Sequence, residues 1–213
     1  MKIIKVKKLE FPEIKTINFR RFMDDRGYFT ETYRKTDFQE NQELDFLTGT
    51  DFVQHNESYS KKNVIRGLHF QWNPYMGKLV RTIHGHMIDL ILDIRKDSPT
   101  FGKIIAYDMP SNPEDDYNEW IWVPPGFAHG NIFTIESKIE YLCSGQYSPG
   151  CEAGISPLAE DIDWSLCDER LKKVFDEVSQ KTKLMTEKDR NGLTLKDWGK
   201  KYESEKFKYQ DLK

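Results

Sequence analysis

Met87-Ile88-Asp89-Leu90-Ile91-Leu92-Asp93-Ile94 is the stretch whose reading decides the fold. From Ile88 onward its even positions are apolar and two of its odd positions are acidic. A period of two puts alternate side chains on opposite faces of a strand. Further strands are expected at Lys2–Phe11, Tyr28–Tyr33, Asp51–Ser58, Val64–Gln71, Leu79–His84, Lys103–Asp108, Glu119–Val123, Gly130–Phe133 and Ile139–Ser144. Turn signals separate them: Asp25-Arg26-Gly27, Gln71-Trp72-Asn73-Pro74, His84-Gly85, Ser98-Pro99, Pro110 to Pro113, Pro124-Pro125-Gly126 and Ser148-Pro149-Gly150. Many short strands at this spacing predict an antiparallel sandwich or jelly roll.

The chain changes character after about residue 160. Leu171, Val174, Phe175 and Val178 fall at helical spacing within Trp164–Val178, and a second helix is expected over Leu195–Phe207, with Trp198 and Tyr202 four apart. With no repeat or low-complexity linker, residues 1–213 read as one domain: a β core over about 1–160 and a helical cover over about 164–213.

At 213 residues, 38% hydrophobic and 13% aromatic, the chain can bury one core. A formal net charge of −3 argues against general binding to nucleic acid or acidic membranes. The terminal lysines, Lys2, Lys5, Lys7, Lys8 and Lys200, Lys201, Lys206, Lys208, read as solvated faces. Cys143, Cys151 and Cys167 form no paired framework. No signal peptide or membrane-length apolar run stands out, so a cytoplasmic location is expected.

Four polar constellations could carry chemistry. His69 and Gln71 share one strand face by period two, with Arg66 expected on the other. Pro124-Pro125-Gly126-Phe127-Ala128-His129-Gly130 delivers His129 from a tight turn. Tyr141 shares a face with Ile139 and Cys143, and Thr186-Glu187-Lys188-Asp189 follows the long helix. Each has a structural counterpart reading: a satisfied core tyrosine, a turn-closing histidine, and a helix capping box in which Asp189 bonds a backbone N–H. His84-Gly85-His86 reads as an exposed loop.

A series of motifs runs from about Phe19 to Asp189: Asp25-Arg26-Gly27-Tyr28-Phe29-Thr30-Glu31, Gln54-His55-Asn56-Glu57-Ser58, Arg66-Gly67-Leu68-His69-Phe70-Gln71 and Lys78-Leu79-Val80. It continues through Asp93 to Gly102, Pro125 to Gly130, Tyr141-Leu142-Cys143-Ser144, Tyr147-Ser148-Pro149 and Glu152. In these motifs and their order the chain resembles the dTDP-4-dehydrorhamnose 3,5-epimerases, cupin-fold enzymes acting on nucleotide-linked 4-keto-6-deoxy sugars. The resemblance implies a cupin jelly-roll barrel, and roles by matching position. His69 is the general base beside the C4 ketone, with Asp189 orienting its ring and supporting the protonated form. Lys78 stabilises the enolate oxygen, and Tyr141 is the acid on the opposite sugar face. His129 is a substrate hydrogen-bonding group. Arg26, Arg66, Gln54 and Asn56 surround the diphosphate and sugar. Phe29, Glu31 and Tyr147 belong to the nucleotide region.

The resemblance further implies inversion at C3 and C5 of dTDP-4-dehydro-6-deoxy-D-glucose. An epimerase working on C3 alone or C5 alone of a related sugar is the near alternative. No redox cofactor or metal is expected, because the substrate's own ketone is the electron sink. A homodimer exchanging a strand such as Lys2–Phe11 is also expected. Where the family usually has Phe after His-Gly, this chain has Asn131; the run Ile155–Trp164 is shorter, and the tail past Asp189 is distinctive.

Two rival classes remain at this stage. Pro124-x-Gly126-x-x-His129 with His84-x-His86 resembles a metal-dependent cupin oxygenase or isomerase, although no glutamate completes the first motif. A non-catalytic nucleotide-sugar binder would not need His69, Lys78, Tyr141 and Asp189 together.

Overall fold

The computed structural model of the chain describes residues 1–212. In chain order the strands are β1 Ile3–Lys8, β2 Lys15–Arg20, β3 Phe22–Asp24, β4 Gly27–Phe29, β5 Gln54–Ser60 and β6 Ile65–Gln71. They continue with β7 Lys78–Asp93, β8 Ile104–Ser111, β9 Tyr117–Val123, β10 Phe127–Phe133, β11 Ser137–Cys143 and β12 Glu152–Gly154. Helices are α1 Lys35–Glu40, α2 Glu169–Lys181, α3 Glu187–Arg190 and α4 Leu195–Lys200.

All strand pairings are antiparallel. One sheet runs β1-β2-β9-β7-β11-β5 and the other β8-β7-β10-β6-β12, so β7 belongs to both. Short antiparallel strands in two face-to-face sheets fit the expected jelly roll. Strands that cross from one sheet to the other at a bend are how such corners are made.

That crossing corrects the sequence reading at His84-Gly85-His86. Leu79–His84 and Met87–Ile94 are not two strands joined by a loop but one strand of 16 residues. Gly85, at φ +85°, supplies the bend, and a Cβ there would lie 2.3 Å from the Glu136 carbonyl oxygen. His86 is held by Asp108 and by Thr134 Oγ1 at 2.9 Å. The acid–apolar alternation of β7 also marks no solvent face: Asp89 and Asp93 are both fully buried.

Three apolar layers result. Between the sheets lie Met87, Ile91, Ile121, Phe127, Phe133 and Ile139. The outer face of the β7–β10 sheet, with Ile88, Leu90 and Leu92, packs on Leu171, Phe175 and Val178 of α2 and on Trp198 and Phe207. Each of those side chains contributes roughly 1.5–3 kcal/mol when fully buried. The other sheet is covered by Phe38, Leu44 and Leu47 from residues 35–47, a helical segment that the sequence reading missed.

Boundaries move for local reasons. The long helix starts at Glu169 and not near Trp164, because the Asp168 carboxylate caps the amides of Arg170 and Leu171. The second helix stops at Lys200; Trp198 is fully buried whereas Tyr202 is 80% exposed, so these two do not share a docked face. Tyr28–Tyr33 is strand only to Phe29, in a separate hairpin with β3. β2 was missed although Ile17 and Phe19 alternate inward. No helix among the described residues is long and apolar enough to cross a membrane.

β6 and β10 approach at Gly67 and Gly130. Gly67 has φ +108°, and a Cβ on it would lie 2.5 Å from Gly130 Cα and 2.8 Å from the His129 carbonyl oxygen. Gly67→Ala is therefore expected to destabilise the fold by about 2–4 kcal/mol. Urea unfolding would show this as a lower midpoint at unchanged slope, and an unshifted midpoint would show that the strands can part.

Candidate active site

The cavity lies between the two sheets, and each wall brings its own chemistry. From the β7–β10 sheet come His69 on β6 and His129 on β10, which are direct cross-strand partners. From the other sheet come Lys78 at the start of β7 and Tyr141 on β11. A pocket of about 310 Å³ is lined by these four together with Arg66, Asn131, Ser58, Thr186, Lys188 and Asp189. A second pocket of about 510 Å³ shares His69, Lys78, Tyr141 and Lys188 and adds Gln54, Asn56, Gln71, Tyr147 and Glu152. The shared residues join the two into one cleft of ligand-binding size.

Asp189 reaches His69 from outside the sheets. Its Oδ1 lies 2.6 Å from His69 Nε2 across 120 positions of sequence. The capping expectation is half met: Thr186 Oγ1 accepts the Asp189 N–H at 3.1 Å, while the Asp189 carboxylate goes to the imidazole. Burial opposes ionisation of Asp189. The hydrogen bond and charge of His69, with Thr186 and the Gly67 amide, outweigh it and hold the carboxyl below its ordinary value.

A second histidine–carboxylate pair stands beside the first. His129 Nε2 lies 2.7 Å from Oδ1 of the fully buried Asp89, which also accepts from Asn131 Nδ2 at 2.6 Å. Neither Asp89 nor Asn131 was expected in the site, although the acidic inward position of Asp89 on β7 was a usable signal.

Lys78 differs from every carboxylate in the cleft, since no hydrogen bond or ion pair is made by its ammonium among the described residues. Burial is the main cause that lowers its pKa; Cys143, Asp89 and Glu152 pull the other way. Burial raises Tyr141, and Cys143 adds to the rise against opposing effects of Asn56 and Arg66. At neutral pH the tyrosine is therefore a protonated donor.

Arg66 was expected to face away from His69, yet both line the cavity. Strict alternation fails because Gly67 takes a left-handed φ and the β6–β10 register shifts between His129 and Asn131. Arg66 is anchored by Ser60 Oγ at 2.9 Å and the Tyr59 carbonyl oxygen at 3.1 Å. Gln54 spans to Asn56 at 3.1 Å and accepts the Tyr147 N–H at 2.9 Å. Lys188 and Tyr147 meet on Glu152 Oε1 at 2.9 and 3.1 Å, a mouth cluster of which only Tyr147 was expected in the site.

Three expected binding residues are not in this cleft. Arg26 pairs with Asp24 on the β3–β4 hairpin, Phe29 is 66% exposed there, and Glu31 bonds Arg34. The histidines needed for the metal-cupin reading do not gather either: among the described residues no three His, Cys, Asp or Glu side chains are placed to hold a metal. His86 is committed to Asp108 and His129 to Asp89.

The chain is similar to known proteins over most of its length. Residues 8–197 match a family model described as dTDP-4-dehydrorhamnose 3,5-epimerase. A dTDP-4-dehydrorhamnose 3,5-epimerase from Shigella flexneri is 34% identical over 196 residues, covering 89% of this chain and 95% of that one. One from Salmonella typhimurium is 38% identical over 163 residues, 74% of this chain and 84% of that one. Among solved structures, a dTDP-6-deoxy-D-glucose-3,5-epimerase from Legionella pneumophila in complex with dTDP-4-keto-L-rhamnose superposes with a TM-score of 0.75 at 29% identity, covering 96% of this chain and 97% of that one. A 4-keto-6-deoxy sugar epimerase from Streptomyces spheroides gives 0.77 at 25% identity, over 100% and 96%.

Because the folded pKa of Asp189 lies below its ordinary 3.8, its stabilisation is complete above that value and is lost as pH falls through the depressed one. The stability gap between the native protein and Asp189→Asn should therefore close as unfolding is measured from pH 6 down into this acid range. A gap that stays constant would mean that the carboxylate charge contributes nothing.

Proposed function

We propose that this chain, which belongs to the dTDP-4-dehydrorhamnose 3,5-epimerase family and is an isomerase, inverts C3 and C5 of dTDP-4-dehydro-6-deoxy-D-glucose. One observation carries the mechanism: His69 and Tyr141 stand on opposite sheets across one cavity. Inversion needs a proton removed from one face of a carbon and another delivered to the other face. A base and an acid on opposing walls supply that.

The C4 ketone acidifies the hydrogens on C3 and C5. His69 takes one, and the electron pair moves into the ketone to give an enolate. Lys78, whose ammonium has no partner among the described residues, meets the oxygen where that charge collects. Tyr141 then gives its phenolic proton to the carbon from the other side, and the enolate pair closes the C–H bond. His69 ends protonated and Tyr141 deprotonated, and both reset by exchange with solvent. Asp189 holds the ring and balances the imidazolium. No outside electron acceptor enters, because the ketone itself stores and returns the pair.

For binding, Arg66 takes the diphosphate through its guanidinium fork, with Lys188 as a second cation at the mouth. Gln54, Asn56 and Tyr147 face the nucleotide side, and His129 bonds the sugar. Arg26 matches the diphosphate and sugar region, and Phe29 and Glu31 the nucleotide region, yet all three stand outside this chain's cleft. A homodimer in which each β3–β4 hairpin reaches the partner's cleft reconciles the two facts. Support comes from the exposed apolar residues Phe22, Met23, Tyr28 and Phe29 of that hairpin and from β1, which ends its sheet. Solution scattering should return a dimer mass, and a monomer at working concentration would exclude this arrangement.

Proton NMR of the 4-keto sugar nucleotide in heavy water tests the chemistry directly. The native protein should exchange C3 and C5 hydrogens with inversion, and His69→Ala should slow this about 10²- to 10⁴-fold. Tyr141→Phe should still exchange but with retention, since only the base remains. Inversion by that variant would remove the tyrosine from the mechanism.

Lys78 generates a pH prediction. Its enolate-stabilising charge is lost as pH rises through a pKa below the ordinary 10.5. The alkaline limb of kcat/KM should lie below that value and move upward in Lys78→Arg. A limb that the substitution leaves in place would assign it to another group.

A further inference from the structure

Asn131 lines the cavity and has no part in the proton transfers above. It lies two positions beyond His129 on β10 and is 6% exposed. Its Nδ2 donates to Asp89 Oδ1 at 2.6 Å and touches Met87 Sδ at 3.1 Å. Asp89 is fully buried, and its Oδ2 has no hydrogen-bond partner among the described residues. A buried carboxylate short of donors fixes which way the neighbouring amide turns. Reversing Asn131 would set its carbonyl oxygen against the carboxylate, acceptor on acceptor.

The amide oxygen is therefore the end left over. Nothing among the described residues donates to Asn131 Oδ1, and it is not one of the sealed, unpartnered buried atoms. Asn131 thus offers the cavity a fixed acceptor, which a hydroxyl can satisfy and a CH₂ group cannot.

Its place between strands indicates which hydroxyl. In the β6–β10 pairing His129 stands opposite His69, and Asn131 stands opposite Arg66. On the reading above, on which this inference rests, His69 works at the carbons flanking C4 and Arg66 holds the diphosphate on C1. Opposite Arg66, Asn131 stands at the diphosphate end of this wall, and the hydroxyl-bearing ring carbon next to C1 is C2. We propose that Asn131 accepts a hydrogen bond from the C2 hydroxyl and so determines specificity for 2-hydroxy over 2-deoxy forms of the sugar nucleotide. The hydrogen bond from Asn131 to Asp89 holds that acceptor in position, so the selecting group is rigid before substrate arrives.

Calorimetric binding separates this role from catalysis. dTDP-6-deoxy-D-glucose carries a hydroxyl at C4 in place of the ketone and cannot react; its 2-deoxy form differs at one atom. The native protein should bind the 2-hydroxy compound about 3- to 10-fold more tightly, the range of one net hydrogen bond. In Asn131→Leu, which keeps the branched skeleton but has no acceptor, the preference should fall to within about twofold. The native ratio alone decides the question if that variant does not fold. Equal binding of the two compounds by the native protein overturns the role of Asn131 and leaves the epimerase reading intact. Failure of both compounds to bind overturns the nucleotide-sugar site itself, and this inference falls with it.

Discussion

Strand β7 is the constraint on which the rest of the structure depends. Over 16 residues it pairs with β8, β9, β10 and β11, and it is the strand that the two sheets share. Its backbone groups are buried and must be paired on both edges, which leaves little freedom to shift any neighbour by one residue. A one-residue slip would exchange the Asp89 and Asp93 face for the Ile88, Leu90 and Leu92 face, placing carboxylates against α2. Gly85 permits the bend that carries the strand from one sheet into the other. Lys78 lies on one side of that bend and Asp89 on the other, so the same strand supplies a lysine to one wall and the carboxylate that holds His129 and Asn131 of the other.

Along this frame the buried carboxylates are met by donors, whereas Lys78 is not met by an anion among the described residues. Asp93 meets Arg95 in a two-pronged contact at 2.8 and 3.0 Å, and Arg95 also holds Glu13 at 2.6 Å. Asp89 is shared by His129 and Asn131, and Asp189 by His69 and Thr186. Unpaired buried charge is costly, which explains why these carboxylates come with donors. Among the described residues Lys78 has no counter-charge in contact, and burial lowers its proton affinity. On the proposed mechanism, a negative oxygen forming beside it would remove that penalty, so the ammonium would gain more from the enolate than from the neutral ketone, the condition for lowering a barrier.

Periodicity was a dependable guide where one principle acted alone. The alternation of Ile88–Ile94 marked a strand, and Leu171, Phe175 and Val178 marked the docked face of α2, because local geometry repeats faithfully within an element. It misled where the backbone left its period. Arg66 was placed on the wrong face since Gly67 interrupts the alternation, and His84–His86 was taken as a loop since a glycine within a strand imitates a turn. Tyr202 was grouped with Trp198 by spacing, but the helix between them ends at Lys200. Of the site, His69, Lys78, Tyr141, His129 and Asp189 were recognisable from motif resemblance and converge in one cavity. Asp89, Asn131, Lys188 and Glu152 join them without a sequence signal of comparable strength.

The sequence by itself determined the all-antiparallel class and the helical C-terminal cover, and its motifs carried the resemblance that implies residues for proton transfer beside a ketone. These depend on side-chain period and on chemical identity, both local properties. Only the tertiary structure decided that His69 meets Asp189 from 120 positions away, that His69 and Tyr141 occupy opposite walls, and that Asn131 presents an acceptor oxygen. Those outcomes rest on which strands pair, in what register, and around which bend. Long-range pairing of this kind follows from burial and hydrogen-bond satisfaction of the whole chain, and no window of residues carries it.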